Sequence, residues 1–169
     1  MKDDKLFTVE GVLEESKRFL QYVGYQPQPT PAVPVPADFY VTRQAEATTY
    51  QIVGVVREQV DEIIDALAAL TTIKTSLGEA ADYVVVLPPV KEYLMIELLI
   101  SERGRWFYEI KQQQFMIWLC NPELQTTTCL IGSPRDKAFS DYFAGSSVLN
   151  FEQYLNMRFW REGLLEEDL

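Results

Sequence analysis

Between Thr49 and Pro89 the pattern of hydrophobic and polar positions switches from strand-like to helical and back. Tyr50–Val56 (YQIVGVV) and Asp82–Leu87 (DYVVVL) are nearly continuous apolar runs, as expected of strands covered on both faces. Between them Val60, Ile63, Ile64, Leu67, Leu70, Thr71, Lys74 and Leu77 recur at helical spacing. That spacing predicts a crossover helix over 57–77, with Gly78 as its stop. Pro88 and Pro89 end the second strand, because proline donates no ladder hydrogen bond. A strand, a helix and a strand in this order predict a parallel pair.

The same reading extends to either side. Residues 7–25 read as an amphipathic helix with Thr8 as N-cap and Gly24 as stop. Five prolines at 27, 29, 31, 34 and 36 enforce an extended connection over 26–37. Residues 38–42 form a strand, 43–48 a polar turn, and the strand at 50–56 completes a hairpin. Further on, 90–110 read as a helix, 115–120 and 126–131 as strands, and 137–143 and 151–160 as helical patches. The order α-β-β-α-β-α-β predicts an α/β protein, a three-layer-type sandwich around a central mixed sheet. Residues 1–133 make the core domain, and 134–169 a helical, aromatic-rich extension of it. Phe139, Tyr142, Phe143, Phe151, Tyr154, Phe159 and Trp160 make that extension a candidate interface for a homodimer or a protein partner.

Composition narrows the chemistry. The chain has 169 residues, enough for one domain with a sizeable core. It has no histidine, which removes Ser-His-Asp and Cys-His catalysis and His-containing zinc sites. Cys120 and Cys129 lie in apolar runs, outside any metal or redox motif, and read as buried reduced thiols. No apolar run approaches the ~20 residues that span a bilayer, and no apolar signal core follows Met1–Lys5. The expectation is a cytoplasmic protein without a membrane partner. The net charge of −10 disfavours a nucleic-acid partner, leaving room only for a local basic groove.

In pattern and order, residues 8–120 resemble the restriction-endonuclease-like fold, the PD-(D/E)xK nuclease superfamily. Pro36-Ala37-Asp38 followed by Phe-Tyr-Val resembles the first half of that signature. Tyr50 to Arg57 resembles the second half, where a Glu-x-Lys is expected, and Ala80 to Pro89 resembles the strand after the crossover helix. The resemblance implies a Mg²⁺-dependent nuclease site, with carboxylates holding the ion and a Lys positioning water. It makes Asp38 a metal ligand and Arg57 the stand-in for the Lys. The hairpin strand departs from the signature, because its two registers offer Gly54 with Val56, or Val55 with Arg57, and neither supplies an acid. Arg57 is also a poor proton acceptor.

An acid that has migrated would come from the cluster Glu58, Asp61, Glu62 and Asp65 early in the crossover helix, Glu58 and Glu62 above all, or from Glu10, Glu14 or Glu15 on the first helix, with Glu14 joining Asp38 as a metal ligand. Glu58, Asp61, Glu62 and Asp65 also suit a helix start simply through the dipole. A literal Glu-x-Lys at Glu109–Lys111, with Asp82 upstream, is set aside because a helix separates the two.

Three functions remain open. The first is a catalytically degenerate member of this fold, without a cofactor, that binds a protein or dimerises. The second is an active Mg²⁺-dependent nuclease with a rearranged site. The third is an unrelated α/β interaction domain, for which 38–56 would not form a hairpin beside the 83–87 strand.

Overall fold

The computed structural model describes residues 7–30, 33, 35–143 and 148–161. Helix α1 (Val9–Val23) starts where the Thr8 hydroxyl accepts the Gly11 amide at 3.3 Å. It stops at Gly24, whose φ of 121° suits glycine and whose amide reaches back to Leu20 and Gln21. The next elements are β1 (Gln26–Pro27), β2 (Phe39–Ala45), β3 (Thr48–Val56), α2 (Ile63–Leu77) and β4 (Asp82–Leu87). Then come α3 (Glu92–Gln113), β5 (Met116–Asn121), β6 (Thr126–Ile131), α4 (Ser140–Phe143) and α5 (Val148–Arg161).

The six strands form one open mixed sheet in chain order, β1 to β6. β2 and β3 pair antiparallel, with Phe39 opposite Gly54 and Ala45 opposite Thr48. β3, β4 and β5 run parallel through the centre, and β6 returns antiparallel on β5. Alternation along the central strands splits the core between the two faces. Val53, Val55, Val85 and Leu87 pack with Leu67 and Leu70 of α2, Leu99 and Phe107 of α3, and Leu155 of α5. Ile52, Val84, Val86 and Trp118 pack with Val12, Phe19 and Leu20 of α1 and with Phe139. The protein is therefore α/β, with helices on both faces of a mixed sheet. Among the described residues no helix is long and apolar enough to cross a membrane.

Several boundaries differ from the pattern's expectation. The hairpin strands run on to Ala45 and restart at Thr48, because polar cross-strand pairs such as Arg43 with Tyr50 extend the ladder past the apolar residues. Pro27 lies in a two-residue strand at the sheet edge, where its missing N–H breaks no ladder. The crossover helix begins late: a 3₁₀ turn over Val60–Glu62 precedes α2. Helix α3 is two segments, broken where Glu102, Arg103 and Gly104 have φ of 50°, 60° and 76°. The left-handed region costs a non-glycine residue about 1–2 kcal/mol, and only Gly104 signals the break in sequence.

After β6, Phe139, Phe151 and Leu155 reach into the two core clusters. Phe139 is buried on the α1 face, stacked on Phe143 at 5.4 Å and close to Trp118 at 5.7 Å. Phe151 and Leu155 are buried on the opposite face. Tyr142 and Tyr154 stay partly exposed, and the Phe159 and Trp160 side chains lie outside what is described. Cys120 and Cys129 are both buried, and burial pushes the Cys120 thiol up.

The buried stripe of α2 runs through Ile63, Ala66, Leu67, Leu70 and Ile73, while Ile64 sits at its half-buried margin. Leu67→Ala is therefore expected to cost about 2–5 kcal/mol in chemical denaturation. Ile64→Ala should cost clearly less, and equal losses would show that the stripe is drawn on the wrong side.

Candidate functional site

Asp38 stands just before β2. Its amide donates to Gly54 O at 2.9 Å, and its carboxylate accepts the Val56 amide at 2.7 Å. Arg57 follows β3 and donates its own amide to Val86 O at 3.0 Å, prolonging the parallel ladder. Its guanidinium lies 3.5 Å from the Asp38 carboxylate and 3.2 Å from Asp65 on α2, and also donates to Val56 O at 2.9 Å. The structure thus brings Asp38, Arg57 and Asp65 together, with the arginine between the two acids. In this arrangement Asp38 holds the end of a hairpin and Arg57 links that end to α2.

Neither register of β3 offers an acid, and at Gly54 the space is filled from the partner strand. Phe39 lies in register with Gly54, and a Cβ built on Gly54 would fall 2.0 Å from Phe39 Cζ. The ring covers the glycine, a pairing that stabilises glycine within strands. The neighbouring Val55 is 1% exposed and faces the α2 and α3 side of the core.

Glu58 and Glu62 have backbone partners of their own. Glu58 accepts the Val9 amide at 3.0 Å and so caps the first turn of α1. Glu62 accepts the Gln59 amide at 2.9 Å in a capping box. Glu10 and Glu14 are exposed on α1. Glu109 and Lys111 lie in the second segment of α3. Among the described residues no group of three or more His, Cys, Asp or Glu is gathered to hold a metal ion. The residues around Asp38 do not fit Mg²⁺, which takes carboxylate and water oxygens in octahedral array. The nearest charge here is a guanidinium, and one carboxylate oxygen already accepts a backbone amide.

Beside this cluster, at the carboxyl ends of β3 and β4, lies a cleft of about 820 Å³. Its walls are the loops at 58–61 and 88–91, Phe7, and the first segment of α3 through Leu94, Glu97, Leu98 and Ser101. The carboxyl ends of parallel strands are the usual ligand position in open α/β sheets. The cleft was not anticipated from sequence, since its walls come from three separate stretches of the chain, at Phe7, at 58–61 and at 88–101. A smaller pocket of about 320 Å³ opens at the other end of the sheet, by Asp82, Lys111 and Arg135. Burial pushes the Asp82 carboxyl up, against the pull of the Arg135 amide at 2.9 Å and its guanidinium at 3.1 Å.

A buried polar network was also invisible in the sequence. Asp136, 2% exposed, accepts Arg43 Nε and a terminal guanidinium nitrogen at 2.6 Å each, the Tyr25 hydroxyl at 2.7 Å and the Ala138 amide at 2.9 Å. It ties the end of α1, the hairpin and the C-terminal segment together.

The chain matches no protein-family model, and no curated protein matches it significantly.

Proposed function

We propose that this chain is a degenerate relative of the restriction-endonuclease-like nucleases that works by binding another protein, or a second copy of itself, rather than by cutting nucleic acid. The hairpin β2–β3, the crossover α2 and the parallel strand β4 follow the order that the resemblance requires. One observation carries this reading: neither register of β3 has room for an acid, since a Cβ on Gly54 would meet the Phe39 ring and Val55, two residues before Arg57, is buried in the core against α2 and α3. The Arg57 contact and the backbone hydrogen bond of Asp38 add to it, since both give that acid a structural role. The net charge of −10 supports a protein partner over a polyanion. Residence in the cytoplasm is part of the same reading and suits two buried thiols.

Metal titration tests this reading. With Mn²⁺ as a paramagnetic probe, water-proton relaxation should reveal only weak binding, equal in the native chain and in Asp38→Ala. A tight site that disappears in Asp38→Ala would overturn the reading in favour of a rearranged nuclease centre.

A further inference from the structure

We propose that the cleft beside the first segment of α3 is a docking groove for a basic, amphipathic helix of a partner protein. This rests on the reading of the chain as a protein-binding module. The groove has an apolar lining from Val60, Leu94 and Leu98. Leu94 is 45% exposed on a helix whose Met95 and Leu99 are fully buried, so it is an apolar residue left facing solvent at a concave surface. The rim is acidic. Asp61 is exposed, and the Glu97 side chain is 66% exposed with Arg158 only at 3.8 Å. The cation of the rim, Lys91, is drawn over the Tyr93 ring at 5.9 Å. With a chain charge of −10 behind it, this rim attracts Lys and Arg and repels anionic ligands.

The mode of binding follows from the position. The cleft lies at the ends of β3 and β4, and both strands are paired on both sides, so it offers no free strand edge for an extended peptide. An apolar trough with charged rims takes a helix laid along its apolar face. The α3 wall ends at the left-handed residues Glu102 and Arg103, and backbone strain of this kind gathers at ligand clamps.

The test is fluorescence anisotropy with a labelled Leu/Lys amphipathic peptide of about 18 residues, long enough to form a helix. A peptide of the same composition and charge with its apolar face scrambled is the control. The native chain should bind the amphipathic peptide and bind the scrambled one far more weakly. Leu94→Asp should weaken binding about tenfold or more, although it adds negative charge. Asp61→Lys should weaken it several-fold at low salt, with the difference closing as salt rises. Tyr22→Asp, at a 70% exposed residue of α1, should change it by less than about twofold. Equal or tighter binding by Leu94→Asp, or equal binding of the scrambled peptide, would reduce the effect to bulk charge and overturn the groove. No binding by the native chain would overturn it too. Loss of binding in Tyr22→Asp alone would move the site to α1, overturning the groove while the protein-binding reading stands. Should Leu94→Asp fail to fold, Leu94→Ser takes its place: it should weaken binding of the amphipathic peptide and leave the scrambled one unchanged, and no such difference would overturn the groove. That broader reading falls on a different result, metal-dependent cleavage of nucleic acid.

Discussion

Asp136→Ala is expected to cost the fold about 3–5 kcal/mol, the range for removing one partner of a buried ion pair. The Asp136 side chain is 1% exposed and takes four donors: two nitrogens of Arg43, the Tyr25 hydroxyl and the Ala138 amide. Without the carboxylate, the inward-facing guanidinium and the buried hydroxyl lose their acceptor, and an unmatched buried donor carries its full desolvation penalty. A domain of this size has about 5–15 kcal/mol in hand, so the variant should melt far below the native chain in urea. Asp136→Asn keeps the shape and an acceptor and should lose less. A loss under about 1 kcal/mol in Asp136→Ala would show that the network does not hold the C-terminal segment down.

The same group sets a pH signature. Burial pushes the Asp136 carboxyl up, but Arg43, the Ala138 amide and the Tyr25 hydroxyl outweigh it and hold it below its ordinary 3.8. A carboxyl depressed on folding contributes stability that is complete above the unfolded value and is lost as pH falls through the folded one. The gap between the native chain and Asp136→Ala should therefore stay constant through neutral pH and narrow only below about pH 3.8.

Gly54→Ala is the second large effect, with an expected loss of about 3 kcal/mol, the upper end of overpacking in a core. The added methyl would sit 2.0 Å from Phe39 Cζ. β3 is held on both sides, by β2 and by β4, and the Phe39 ring is itself buried, 3% exposed. Phe39→Ala in the same chain should recover part of the loss, so that the double-mutant cycle shows strong coupling. A neutral Gly54→Ala would mean that the position is open. The steric argument would then fail at one of the two registers of β3, leaving only the buried Val55 at the other.

How much of this was legible in sequence depends on the range of each interaction. β4 and β6 lie at the residues that their apolar runs and flanking turns mark out, and α1 carries the Thr8 and Gly24 caps expected of it. These are local signals. The adjacency of Asp38 and Arg57 was also readable, because hairpin register brings residue 38 to the end of the 50–56 strand. The ring over Gly54 was less so: Gly54 and Val55 both read as positions where an acid is missing, whereas the neighbour across the ladder accounts for the glycine. Glu58 and Glu62 read either as migrated site acids or as acids suited to a helix start; both are used as caps, Glu62 at its own helix start and Glu58 for a helix 49 residues away. The Tyr25–Asp136 bond spans 111 residues, and no spacing rule connects such a pair. The kink at 102–104 was hidden because the apolar period continues on both sides of it.

Cleavage is the most direct test of the central claim that the hairpin no longer holds a catalytic centre. Purified protein would be incubated with supercoiled plasmid, single-stranded DNA and RNA in Mg²⁺ and in Mn²⁺, beside Asp38→Ala. Both proteins should leave every substrate intact in both metals. Cleavage by the native chain that vanishes in Asp38→Ala would contradict the claim and show that Asp38 works with an acid from another element, Glu10, Glu14, Glu58 or Glu62 among them.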